Sequence, residues 1–88
     1  MTKDQIDENE LSEMLARCEA TTPGPWKSYI EGRDHESGSD FIMTDLENNK
    51  CGDIELIGAS HADQDFIAAA KQDMPRLINE IRRLKNAL

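Results

Sequence analysis

The stretch TTPGPW at residues 21–26 separates a helical sequence pattern before it from an alternating, strand-like pattern after it. Two prolines around a glycine cannot continue a helix, and the residue before each proline is driven towards extended backbone. We therefore predict a rigid corner that delivers Trp26, the only tryptophan, to a fixed place in the core. The alternative is that Trp26 serves as a stacking platform for a ligand.

A helix is predicted before this corner. Asp7 with Glu10 three residues later fits a capping box, and residues 1–8 are expected to fray. Apolar side chains then recur every three or four positions, as on one face of a helix. The helix should end by Ala20, ahead of the prolines. The predicted stripe consists of Leu11, Met14, Leu15 and Cys18.

Three strands are predicted after the corner. Residues 26–30 alternate between two sides, as in a half-buried strand. A polar loop separates them from a second strand at 41–44, and a turn leads to a third strand at 51–57. Short connections favour antiparallel neighbours, so we expect a three-stranded antiparallel meander.

The C-terminal segment is predicted to be helical but broken near Pro75. Ser60 with Asp63 fits the start of a helix, and Pro75 lacks the N–H that a continuing helix needs. The side chains expected to lie against the sheet are Ala62, Phe66, Ile67, Ala69 and Ala70.

The last apolar stripe has a spacing of 4, 3 and 4 residues, as in a short coiled-coil stripe. It consists of Leu77, Ile81, Leu84 and Leu88. The simplest interpretation is a face packed on the sheet, and the alternative is a helix pair across a homodimer interface. Together these patterns predict an α+β fold in a single small domain over residues 1–88, with the helices on one face of the sheet.

The composition of the chain narrows the classes of function that it could have. Eighty-eight residues carry a net charge of −8, and Leu, Ile and Phe number 7, 8 and 2 with no Val, so the predicted core is thin. No apolar run approaches the roughly 18 residues of a membrane span, and a duplex nucleic-acid binder needs a basic surface. A polar N-terminus and two cysteines, Cys18 and Cys51, at no metal-binding spacing favour free thiols in the cytoplasm. We expect no cofactor and no metal.

Three stretches of the chain together resemble a known group of proteins. They are ATTPGPW at residues 20–26, EGRDH at 31–35 running into Phe41-Ile42, and DFIAAA at 65–70 leading to DMPRLI at 73–78. Over roughly residues 11–85 the chain resembles a family of short, largely uncharacterised proteins of bacteria and their phages and prophages. The resemblance implies that source and compartment, and by association a role in host–phage conflict or toxin immunity.

The densest cluster of reactive side chains is the loop at residues 33–40. It is interpreted as a plain hairpin connection or as a recognition loop with Arg33 as its specific contact. The alternatives are a Ser–His–Asp relay through Ser37 or Ser39 and a metal site. The metal ligands would be Asp34, His35, Glu36 and Asp40, with His61 as a further ligand. No oxyanion hole or phosphate-binding motif accompanies it. The candidate binding residues are Trp26, Tyr29, Arg33, Asp34, His35 and Asp40.

The leading hypothesis is a non-enzymatic interaction protein that blocks another, basic protein, as an immunity protein does. Its acidic surface would steer that partner. The alternatives are a phage-type protein that sequesters a nucleotide-like ligand near Trp26, Tyr29 and Arg33, and a small hydrolytic or metal-dependent enzyme.

Overall fold

The computed structural model describes residues 5–48 and 52–87. Along the chain it has α1 (Glu8–Ala20), β1 (Lys27–Tyr29), β2 (Phe41–Met43), β3 (Asp53–Ile54) and α2 (His61–Asn86). The strands form one sheet in the order β1-β2-β3, and both pairs are antiparallel. The predicted α+β fold, with an N-terminal helix and a three-stranded meander, is confirmed.

Helix α1 begins and ends where the sequence predicts. Asp7 Oδ1 accepts the N–H of Glu10 at 2.8 Å, and Glu10 Oε1 accepts the N–H of Asp7 at 3.2 Å, which completes the capping box. Leu11 is completely buried, and the backbone becomes extended at Thr21. The fraying expected for residues 1–8 falls partly on residues 1–4, which lie outside the described residues.

The corner at residues 21–26 is held by the segment that follows β2. Asp45 donates its N–H to Pro23 O at 2.9 Å, and Leu46 donates to Pro25 O at 3.4 Å. The Trp26 indole Nε1 donates to Thr22 O at 3.0 Å, so the ring is fixed by its own corner. Trp26 is half-buried between α1 and α2.

The core is as thin as the composition indicates, and α2 packs against both α1 and the sheet. Its buried apolar side chains come from α1, β2, α2 and the end of β1. They are Leu11, Ile30, Ile42, Ala68 and Ile78.

The predicted break near Pro75 is wrong, because α2 is one continuous helix from His61 to Asn86. A proline inside a helix removes one backbone hydrogen bond and costs about 3 kcal/mol. The half-buried Pro75 lies on the same side of α2 as the buried Ala68 and Ile78. Packing of this side therefore holds the helix together across the proline.

The predicted sheet-facing side of α2 is also wrong. Of the five residues predicted there, Phe66 is 73% exposed and Ile67 is 38% exposed. The sheet instead meets the side that carries Gln64, and Gln72 on the same side binds Trp26 just before β1. The 77–88 stripe is not packed on the sheet either, because Leu77 is 57% exposed while Ile78 beside it is 2% exposed. Leu88 lies outside the described residues.

The third strand is shorter than the predicted 51–57. It covers only Asp53–Ile54, and the chain then turns at Ile57 and Gly58, where Gly58 has a φ of +83°. A side-chain-bearing residue rarely adopts that backbone conformation, so the glycine allows the turn. Cys51 lies outside the described residues, and Cys18 is a free, half-buried thiol.

Candidate functional site

Arg33 in the β1–β2 loop is bound by two carboxylates. Its guanidinium forms a two-pronged pair with Asp65 of α2, with Nη1–Oδ2 at 2.8 Å and Nη2–Oδ1 at 3.0 Å. Nε and Nη2 also donate to Asp34 Oδ2 at 3.0 and 2.8 Å. The same Asp34 oxygen accepts the N–H of Ile30 at 2.8 Å. The loop is thereby fastened to the N-terminal half of α2.

These contacts change the acidity of both carboxyls. The bonds from Arg33, and after them a bond from Ser28, lower the pKa of Asp65 from 3.8 to about 2. Arg33 and then the Ile30 N–H lower the pKa of Asp34. The two carboxylates, Asp65 first, in turn raise the pKa of the Arg33 guanidinium. All three groups are therefore charged across the physiological range.

His35 lies beside two aromatic rings. Its ring centroid is 4.9 Å from that of Phe41 and 6.2 Å from that of Tyr29, and Tyr29 stacks on Phe41 at 5.3 Å. Its Nδ1 accepts the N–H of Ser37 at 3.0 Å and lies 2.6 Å from Ser37 Oγ. Its Nε2 is buried without a hydrogen-bond partner in the described part of the chain.

The Ser37–His35 contact supplies two members of the relay that the sequence suggested. The third member is missing from the described residues, because no carboxylate binds the other ring nitrogen. Within residues 5–48 and 52–87, no three His, Cys, Asp or Glu side chains converge as metal ligands. The polar contacts of the described loop residues fasten the loop to α2.

Asp40 closes the loop at its far end. Its Oδ1 accepts the N–H of Glu31 at 2.8 Å, and its Oδ2 lies 3.2 Å from Nε2 of His61 in α2. Glu31 Oε1 in turn accepts the N–H of Gly38 at 2.5 Å. With Arg33–Asp65, this gives the loop two attachments to the start of α2.

The candidate binding residues thus fall into two places. Tyr29, His35, Asp34 and Arg33 lie together at the start of α2. Trp26 lies about ten ångströms further along the helix, because its neighbour Gln72 is seven residues beyond Asp65 at about 1.5 Å per residue. The sequence therefore grouped Trp26 with residues from which the fold separates it.

Trp26 lines a groove of about 270 Å³ between α1 and α2. Lys71 Nζ lies 5.7 Å from the indole ring and also donates to Cys18 O at 3.1 Å, at the carboxyl end of α1. A cation at that end of a helix is favourable. The apolar lining of the groove consists of Met14, Cys18, Trp26, Ile67, Ala70 and Met74.

The exposed side of α2 carries five of the six large apolar side chains that are exposed in the described part of the chain. Phe66 is 73% exposed, Leu77 57% and Leu84 51%. At 100° per residue the five large exposed side chains fall within about 100° of the helix circumference. We call them the apolar face: Phe66, Ile67, Met74, Leu77 and Leu84. It runs beside the Trp26 groove, because Ile67 and Met74 belong to both.

Two parts of this arrangement were missed at the level of sequence. Phe66, Ile67 and Met74 were not recognised as surface residues. Gln64 was not recognised as a contact to the sheet, nor Gln72 as a contact to the corner before it. The signal was present, since the glutamines and Ala68 are four residues apart on one side while the larger apolar residues lie on another.

None of the described helices is both long and apolar enough to cross a membrane. No protein-family model matches the chain, and no curated protein or solved structure is significantly similar to it. The family resemblance stays a prediction.

Proposed function

We propose that the protein is a small non-enzymatic binding protein that acts by attaching to another protein, as an immunity-type inhibitor does. The observation that carries this proposal is the apolar face of α2. Burying one such side chain is worth about 1.5–3 kcal/mol, and a continuous exposed apolar surface typically marks a protein interaction site. The loop at 33–40 supports the proposal less, because its charged groups already bind one another and α2.

Charge favours a partner with a basic surface. Residues 1–60 have fourteen acids and five bases, a net charge of −9, whereas residues 61–88 have four acids and five bases, a net charge of +1. Long-range attraction by the acidic part accelerates association with a basic protein and weakens as salt screens it. The apolar face would then supply the contacts that hold the complex.

The test is capture from a bacterial lysate by three tagged proteins: the wild type, Leu77→Glu and Asn79→Glu. Both variants add one negative charge to α2, but Asn79 is an exposed polar residue outside the apolar face. We expect a basic protein to be retained by the wild type and Asn79→Glu and lost by Leu77→Glu. Its retention should fall as salt rises from about 0.05 to 0.5 M. The proposal is overturned if no protein's retention depends on Leu77.

The Trp26 groove favours a second candidate, a protein that sequesters a flat, nucleotide-like ligand. The indole could stack on a base, and the exposed Arg17 on the groove's rim could meet a phosphate. A ligand at a hundredfold excess over its Kd stabilises the fold by about 2.7 kcal/mol. We expect thermal shifts with a nucleotide panel to disappear in Ala70→Leu, which fills the groove, and to persist in the control Ala69→Leu. No shift with any nucleotide would exclude this candidate.

A further inference from the structure

We infer that the apolar face of α2 is occupied by a second copy of the same chain, with the two α2 helices packed antiparallel. This inference rests on the proposed function, because it takes the apolar face to be a protein-docking surface and names the occupant. A second copy fits as the occupant because, in an antiparallel pair, the apolar face meets the same face and acidic residues meet basic ones.

The length and spacing of the face fit a helix partner. From Phe66 to Leu84 the helix rises about 27 Å, at about 1.5 Å per residue. The half-buried Ala70 and Ile81 fill the intervals between the exposed side chains. The result is a spacing of three or four residues along the whole face, which is the pattern of one helix packing lengthwise on another.

The charges along α2 select the antiparallel orientation. Asp73 lies beside the first half of the apolar face and Arg76 beside the second half, while Asp63 precedes the face and Lys85 follows it. A twofold axis beside Met74 brings Asp73 of one copy next to Arg76 of the other, and Asp63 next to Lys85.

The same axis also pairs the ends of the apolar face. It sets Phe66 of one copy against Leu84 of the other, so that apolar contacts and charge pairs share one register. A parallel pair would bring the acidic halves together, and like charges at such a contact are unfavourable.

The charges along α2 also fit a second copy at this face. The acidic excess of the chain lies outside α2, and α2 itself carries four acids and five bases. The second half of α2 is its basic half. A second copy meets that half with its own acidic half.

The first experiment is sedimentation velocity across a wide concentration range. We expect the wild type and Asn79→Glu at twice the chain mass and Leu77→Glu at the chain mass. Far-ultraviolet circular dichroism checks that Leu77→Glu keeps its helices. Leu84→Glu provides a second variant should Leu77→Glu fail to fold. A wild type at the chain mass at every concentration, or a folded Leu77→Glu that remains dimeric, would overturn the inference.

The second experiment tests the orientation by disulfide formation in a Cys18→Ser, Cys51→Ser background. Met74→Cys lies beside the twofold axis, so it should link to itself. Phe66→Cys should not link to itself but should link to Leu84→Cys when the two proteins are mixed. Self-linking of Phe66→Cys, without a link to Leu84→Cys, would show a parallel pair and contradict the proposed interface.

Different results would overturn the proposed function and the proposed second copy. A monomer whose α2 captures a foreign basic protein in a Leu77-dependent way would overturn the second copy and leave the proposed function standing. An antiparallel dimer that captures no foreign protein would support the second copy and overturn the immunity-type role.

Discussion

Gln64 of α2 packs against the sheet and is only 3% exposed. Its Nε2 lies 2.9 Å from Ser28 Oγ, 3.2 Å from Tyr29 O and 3.1 Å from Phe41 O. The two N–H groups of one amide therefore serve the ends of two neighbouring strands. A buried carbonyl without a donor is costly, so a glutamine at this position does what an apolar residue cannot.

We predict that Gln64→Ala lowers the free energy of unfolding by about 2–4 kcal/mol, since two carbonyls lose their donor and a cavity opens. Urea unfolding followed by circular dichroism measures the change. The control Asn79→Ala removes an exposed amide from the same helix and should change stability by no more than about 0.5 kcal/mol. Equal stability of Gln64→Ala and wild type would contradict this role.

The Arg33–Asp65 pair predicts how stability depends on acid. The pKa of Asp65 is lowered in the fold from 3.8 to about 2, and the pKa of Asp34 is lowered as well. Depressed carboxyl pKa values stabilise the fold fully above the unfolded pKa, and this contribution is lost as pH falls through the folded pKa. We therefore expect the urea concentration at the unfolding midpoint to decrease as the pH is lowered from about 4 to about 2.

Asp65→Asn removes one of the two carboxylates, so its midpoint should fall less steeply over the same pH range. Glu13→Gln, at an exposed position of α1, is the control with the same change in charge and should keep the wild-type slope. A wild-type slope in Asp65→Asn would refute the contribution of this ion pair.

At the scale of elements, α2 continues through Pro75 because the packing of the helix outweighs the helix-breaking tendency of the proline. Pro75 has no N–H to offer the carbonyl of Lys71, four residues earlier in the helix. The helix continues because Ala68 before the proline and Ile78 after it are buried on the same side. The proline is therefore a cost that the tertiary contacts of α2 outweigh.

Replacing that proline should stabilise the protein. We expect Pro75→Ala to raise the free energy of unfolding by about 1–2 kcal/mol, less than the full cost of a helical proline because the unfolded chain also gains freedom. Pro23→Ala, in the corner before β1, should give no gain, because the proline there fits its backbone. A loss of stability in Pro75→Ala would show that the ring contributes more by packing than it costs.

The predicted helices and strands are correct where the deciding residues are close in sequence, and wrong where those residues are far apart. The Asp7–Glu10 and Ser60–Asp63 boxes involve residues three apart, and both helix starts are correct. The side of α2 that meets the sheet depends on the carbonyls of β1 and β2, more than twenty residues away. The four-residue spacing of Gln64, Ala68 and Gln72 does not by itself reveal these carbonyls, so the apolar side was assigned to the core.

At the scale of the whole molecule, α2 packs against α1, β1 and β2. Arg82 Nη2 contacts Glu8 Oε2 at 2.6 Å and Ser12 Oγ at 3.0 Å, which ties the end of α2 to the start of α1. Gln72 binds the Trp26 backbone, accepting its N–H at 2.8 Å and donating to its carbonyl at 3.2 Å. Polar contacts thus hold much of the monomer together, and many of the large apolar side chains remain outside.

The candidate site was only partly predictable for the same reason. The reactive residues at 33–40 were visible in the sequence, but the partner of Arg33 lies 32 residues later at Asp65. Sequence spacing does not show that this pair fastens a loop. Leu77 and Leu84 were recognised as a stripe, and the homodimer stays a proposal.

Both proposed roles of the apolar face require that Leu77 faces solvent and Ile78 faces the core, and these neighbouring positions test the orientation of α2 directly. In a Cys18→Ser, Cys51→Ser background, we would compare the rates at which Leu77→Cys and Ile78→Cys react with a thiol reagent, at concentrations low enough to separate any dimer. Leu77 is 57% exposed and Ile78 is 2% exposed, so the first should react rapidly and the second only when the protein opens. Rapid reaction at 78 with protection at 77 would mean that the helix is turned the other way, and the apolar face would belong to the core.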